Sequence, residues 1–171
     1  MHPEDPDMRT QPYNVLFICQ HNAARSIFAE ALLAHWGQGR FRTYSAGNDP
    51  RESVHPQVLE TLEHNRLPTE NVYSKHWREF EAEEAPNMDF VITLCDASQE
   101  SCPTWPGHPV TAHWGVEDPL AGDMDEHERS QTLHRVYREL ANRIKLFVEL
   151  PFDSLENLKL KARVEALGED Q

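Results

Sequence analysis

No run of apolar residues in this sequence approaches the about 20 needed to span a bilayer. Its first residues hold no apolar core of the kind that marks a secretory leader. The expected location is therefore cytoplasmic. Basic residues are scarce: 16 Lys and Arg stand against 29 Asp and Glu, a formal net charge of −13. That balance argues against nucleic acid and anionic membrane as partners, since both need basic patches. Three cysteines in 171 residues are few, and odd in number, which argues against a structural disulfide framework and favours reactive thiols. There are no internal repeats and no low-complexity segments. What remains is one ordinary domain with enough length for a real core.

Four apolar runs alternate with helical patterns. Asn14–Cys19 is continuous and apolar, as suits a strand buried on both faces. Phe41–Ala46, Met88–Cys95 and Val110–Trp114 are the other expected strands. Helices are expected from Ala24 to Trp36, stopped by Gly37-Gln38-Gly39, and from His55 to His64. A long helix is expected from Asp123 to Glu149, where Leu133, Val136, Tyr137, Leu140, Ile144 and Phe147 form one apolar stripe. Pro151 ends it, and Ser154 to Gly168 reads as a further amphipathic helix. Glu79 to Ala85, with four glutamates, reads as a solvated helix face. The domain reading is a mobile tail over 1–12, a main domain over 13–150 and a C-terminal helical extension over 151–171. Alternating strands and helices imply an α/β fold with a parallel sheet and helices on both faces. In such sheets ligands bind beyond the carboxyl ends of the strands.

Cys19-Gln20-His21-Asn22-Ala23-Ala24-Arg25-Ser26 follows the first strand and opens the first helix. A strand, a tight loop and a helix start make an anion site from backbone alone, because N–H groups converge where the positive end of the helix dipole points. Cys19 adds a nucleophile, which that field holds as thiolate. Arg25 adds a planar fork matched to an oxyanion. The bland alternative is a buried Cys at a strand end and an Arg in a surface ion pair. Cys95 closes the third strand and Cys102 follows in a polar loop before Pro103. Each is readable as a small buried apolar residue, or, with His108 and His113, as part of a zinc site. The Cys-x6-Cys spacing fits zinc poorly, and a thiol relay reads better. Asp118 follows the last strand in Asp118-Pro119, which is either a simple turn or a carboxylic acid placed at the rim, with Glu117 beside it.

The loop Cys19-x-x-Asn22-x-x-Arg25-Ser26 resembles that of the low-molecular-weight protein tyrosine phosphatase family, and the resemblance runs from about Tyr13 to about Val148. It implies a four-stranded parallel sheet with helices on both faces. Residues 19–26 would bind the oxyanion, with Cys19 as nucleophile, Asn22 holding the loop's shape, Ser26 donating to the thiolate and Asp118 as general acid. Thr93-Leu94-Cys95 through Cys102-Pro103, and His113-Trp114-Gly115, resemble the thioredoxin-coupled arsenate reductase branch. That branch implies reduction of arsenate through a Cys19, Cys95 and Cys102 disulfide relay. It carries no bound cofactor and draws on an external thiol reductant, thioredoxin, with glutaredoxin or mycothiol as variants. Leu120-Ala121-Gly122 stands where the phosphatases tend to carry aromatics that flank a phenyl ring, which favours a small oxyanion. Glu30 and Ser45, near Asn22, match positions that help coordinate potassium in some relatives; otherwise they are a helix-face carboxylate and a strand-end hydroxyl. The family usually has Gly at the position of His21, which predicts a more constrained backbone there. Two rivals remain: a phosphatase of aryl or tyrosyl phosphates using Cys19, Arg25 and Asp118, and a non-catalytic oxyanion-binding or redox-sensing module.

Overall fold

The structure, a computed structural model, describes residues 11–70, 72–80, 85–96, 110–152 and 157–169. Strands β1 (Tyr13–Cys19), β2 (Phe41–Gly47), β3 (Phe90–Thr93) and β4 (Val110–His113) form one sheet in the order β2-β1-β3-β4, every neighbouring pair parallel. Helices α1 (Arg25–Trp36), α2 (Pro56–His64), α3 (Glu126–Val148) and α4 (Asn157–Glu169) accompany it. The four-stranded parallel sheet is the expected α/β architecture, but among the described residues all four helices pack into the core on one face of it rather than on both.

The central strand explains itself. Val15, Leu16, Phe17 and Ile18 are all fully buried, so β1 lacks the polar-out alternation of a half-solvated strand. Its side chains divide by parity. Val15, Phe17 and Cys19 join the larger core with residues of all four helices, and Leu16 and Ile18 join Ala46 and Val91 on the opposite face. Among the described residues that second face is covered by a one-turn 3-10 helix, Trp77–Phe80, and by Met88. The glutamate-rich stretch expected as a helix face is therefore a single turn as far as Phe80, and residues 81–84 lie outside the described set.

The long helix starts three residues later than the sequence suggests. Asp125, not Asp123, is its N-cap, accepting a hydrogen bond from Glu128 N–H at 2.8 Å, and Glu126 and Glu128 add negative charge to the first turn. Its stripe Leu133, Val136, Tyr137, Leu140, Ile144 and Phe147 is buried as expected, and Arg143 is buried among them. At the N-terminal ends of the strands, Tyr13, Phe41, Phe90, Phe147 and Phe152 pack ring on ring at 5.1 to 6.0 Å between centroids. All of these contacts are tilted or edge-on, the favoured arrangements for aromatic pairs. The opposite ends of the strands carry the chemistry.

β1 is also where the chain's winding reverses. From β1 the chain adds β2 on one side, then crosses to add β3 and β4 on the other. Such a switch point opens a crevice beyond the carboxyl end of the central strand, and Cys19 sits there.

Candidate active site

The loop from Cys19 to Arg25 is shaped from outside. The carbonyls of Cys19, Gln20 and His21 accept hydrogen bonds from the N–H groups of Asn48, Asp49 and Arg51 at 3.3, 2.7 and 3.2 Å. In a planar trans peptide the next residue's N–H points the opposite way, so the N–H groups of Gln20, His21 and Asn22 turn away from that segment. Helix α1 begins directly after Ala24, whose side chain supplies no cap. The positive end of its dipole thus faces the loop with no cap from the residue before the helix, as suits an anion site.

Asn22 is the keystone of the loop. It is fully buried and holds φ of +45°, a left-handed conformation that Asn tolerates better than most residues. Its Nδ2 donates to Ser26 Oγ at 2.7 Å and to Ser45 Oγ at 3.1 Å. Its Oδ1 accepts from Lys75 N–H at 2.8 Å, and its backbone carbonyl accepts from Ser74 Oγ at 2.7 Å. Gly47, paired with Cys19 across the sheet, lets the loop close: a Cβ there would lie 2.7 Å from Asn22 N. The strained position is Asn22 and not His21, which has an ordinary backbone where a Gly was the family expectation. The His21 ring instead ties the loop down, with Nδ1 2.9 Å from the Asp49 carbonyl and 3.9 Å from its carboxylate.

Cys19 is buried, with Sγ 2.9 Å from Ser26 Oγ. Ser26 already accepts from Asn22, an obligate donor, so its own hydroxyl proton is available for the sulfur. That order suits a thiolate. Arg25 is buried to 2% exposure, and its Nη1 donates to the Val116 carbonyl at 3.2 Å while Nη2 lies 3.9 Å from Asp118 Oδ2. Asp118 Oδ1 accepts from Leu120 N–H at 3.0 Å, the turn expected of Asp-Pro, which leaves Oδ2 towards Arg25. The Arg135 guanidinium pairs with Glu117 next door.

Cys95 stands two residues past β3, and Leu94 N–H donates to the Ile18 carbonyl at 2.7 Å. Cys19 and Cys95 therefore end adjacent strands at one rim, and both are buried. Cys102 and His108 lie outside the described residues.

Glu30, Ser45 and Asn22 are also brought together. Ser45 Oγ donates to Glu30 Oε1 at 2.6 Å. Burial pushes the Glu30 carboxyl above its ordinary range, opposed by that hydrogen bond and by the Lys75 charge. Burial likewise lowers the Lys75 ammonium, opposed by Glu30 and Glu79. Asn22 turns its NH2 to Ser45 and spends its oxygen on the Lys75 N–H, so of these three side chains Ser45 and Glu30 are the two that present oxygens to a cation. Among the described residues no group of three His, Cys, Asp or Glu could hold a metal ion. Nor is any described helix long and apolar enough to cross a membrane. Lys75, Ser74 and Gly47 carry no motif. Only the Gly at a strand end next to a tight loop could have hinted at close backbone approach.

A thiol and a buried guanidinium on a loop between the central strand and the first helix, faced by a rim aspartate, agree with what the whole sequence matches. The chain belongs to the low molecular weight phosphotyrosine protein phosphatase family, whose pattern it fits over residues 14–159. Within that family it is similar to an arsenate reductase of Shouchella clausii, 30% identical over 135 residues that make up 79% of this chain and 94% of that protein. The crystal structure of arsenate reductase from Archaeoglobus fulgidus superposes with a TM-score of 0.66 at 29% identity, covering 80% of this chain and 99% of that one. A thioredoxin-dependent arsenate reductase of Corynebacterium glutamicum gives 0.51 at 28%, covering 83% of this chain and 66% of that one.

Proposed function

We infer that this protein reduces arsenate to arsenite and is regenerated by a dithiol protein of the thioredoxin type. The observation that carries the reading is the pair of buried thiols, Cys19 and Cys95, ending adjacent parallel strands at the rim of an anion loop. A phosphatase needs the first thiol only.

Arsenate sits in the loop of residues 19–25, its charge balanced by backbone N–H groups, the α1 dipole and Arg25. The Cys19 thiolate attacks arsenic, an As–O bond breaks, and Asp118 gives its proton to the leaving oxygen, which departs as water. The Cys95 thiolate then attacks Cys19 Sγ. The S–As bond breaks with its electron pair staying on arsenic, so As(V) becomes As(III), arsenite leaves and a Cys19–Cys95 disulfide remains. Cys102 attacks Cys95, freeing Cys19, and the reductant's dithiol reduces the resulting Cys95–Cys102 disulfide. No cofactor is needed beyond that external reductant.

The test is arsenate-dependent NADPH oxidation with thioredoxin and its reductase, comparing wild type with Cys95→Ser and Cys102→Ser. Steady turnover in wild type, reduced to at most one turnover in each variant, supports the relay. Hydrolysis of an aryl phosphate that neither substitution affects, with no arsenate turnover, would make the protein a phosphatase.

A further inference from the structure

The C-terminal helix lies almost wholly beyond the family match, which ends at residue 159 while α4 runs Asn157–Glu169. It packs along β4, the open edge of the sheet. An edge strand directs every second N–H outward with no strand to receive it. At His113 the Glu165 carboxylate takes that place, accepting the N–H at 3.0 Å. One residue on, the fully buried Trp114 donates its indole N–H to the Val164 carbonyl at 2.8 Å. Gly168 completes the contact, since a Cβ there would lie 2.2 Å from the His113 carbonyl oxygen.

The residues gripped in this way lead straight to the rim. Trp114 N–H and Val116 N–H donate to the Thr93 and Leu94 carbonyls at 2.8 and 3.2 Å. The buried Arg143 of α3 donates to the Gly115 carbonyl at 3.4 Å, and Arg25 donates to that of Val116. From His113 to Val116 each residue is thus held by a partner from another element, and Asp118 comes two residues later.

We propose that α4 sets the position of Asp118, with Glu165 and Gly168 as positioning residues that act through the segment 113–118. This rests on the reading that Asp118 protonates the leaving oxygen. A misplacement on the order of 1 Å at a reacting group is enough to slow an enzyme markedly, and a methyl at Gly168 forces a retreat of that size. Gly168→Ala is informative because alanine favours the helix itself. Any loss comes from undocking and not from a weaker helix.

The experiment measures kcat and KM for arsenate in Gly168→Ala, Glu165→Leu and Glu165→Gln, each in the Asp118 and the Asp118→Asn background, at a temperature where melting curves show all of them folded. We expect Gly168→Ala and Glu165→Leu to lower kcat on the order of tenfold with a smaller change in KM. Glu165→Gln, which keeps an acceptor oxygen, should stay close to wild type. In the Asp118→Asn background the same substitutions should add nothing, because the group they position is gone. An equal fall in both backgrounds, or no fall beside a slow Asp118→Asn, overturns the proposal alone. An Asp118→Asn variant as fast as wild type overturns the acid assignment itself.

Discussion

Replacing Asn22 with Ala should be among the most damaging single changes outside the reacting groups, and its size can be worked out. Three side-chain hydrogen bonds disappear: two to Ser26 and Ser45, and one from Lys75 N–H. Ser26 keeps Cys19 and Ser45 keeps Glu30, so those two losses are net hydrogen bonds worth about 1 kcal/mol each. The Lys75 N–H is worse placed, since it is left buried without that acceptor, which costs about 1–3 kcal/mol. The left-handed backbone at φ +45° adds about 1 kcal/mol more for Ala than for Asn. The expected loss is roughly 4–6 kcal/mol, a large share of the 5–15 kcal/mol typical of a domain. At about 2–4 °C per kcal/mol for a chain of this size, the melting temperature should fall by on the order of 10 °C. Urea unfolding of the reduced protein measures the loss directly. Asn22→Gly separates the two causes, because it loses the same hydrogen bonds without the backbone penalty and should recover about 1 kcal/mol. An Ala variant within about 0.5 kcal/mol of wild type, or a Gly variant less stable than the Ala variant, would refute the reasoning.

Arg25→Lys should weaken phosphate and arsenate binding by on the order of 10- to 100-fold, because a point charge replaces a fork anchored to Val116; inhibition by phosphate measures it. Ser26→Ala should slow iodoacetamide alkylation of Cys19 by about tenfold, since the sulfur loses a hydroxyl placed to donate to it, and an unchanged rate would show that the hydroxyl does not serve the thiolate. Acid should destabilise the α2–α3 contact. Burial, the His64 charge and the Arg138 charge lower His134, so its neutral form is favoured in the fold. That contribution is full above the ordinary value of 6.5 and fades as pH falls through the lowered one. His134→Gln should flatten this acid limb in a series of melting curves. Glu30 has the opposite sign, because its raised carboxyl contributes stability below 4.5 that is lost as pH climbs through the folded value. Glu30→Gln should therefore gain on wild type as pH rises over that range.

Much of this was legible because it is local. A run of four apolar residues, a turn with Cys and Arg at its ends and an amphipathic helix are properties of neighbouring positions, and β1, α1 and the stripe of α3 formed where the pattern put them. The start of α3 differed because the pattern placed Asp123 inside the helix, whereas the cap is Asp125, whose carboxylate accepts from Glu128 N–H. What the sequence hid is long in range. Lys75 reaches Asn22 across 53 positions, Arg143 reaches Gly115 across 28, and Glu165 reaches His113 across 52. None of the three belongs to a spacing that a helix or strand would impose. The left-handed backbone of the loop likewise sits at Asn22, one position after the His that stands where the family usually has Gly, and no local spacing marks it.

The five rings clustered at the start of the strands give the molecule a stiff floor on the side away from the sulfurs. A relay that passes a bond from one sulfur to the next must let the rim rearrange by several ångströms while the sheet beneath keeps its register, since bridging requires Cα atoms within about 7 Å. With these rings packed at the floor, the proposed relay would rearrange the rim while the sheet beneath keeps its register. Amide hydrogens of Val15, Phe17 and Phe90 should then exchange only through global opening, whichever disulfide the rim holds.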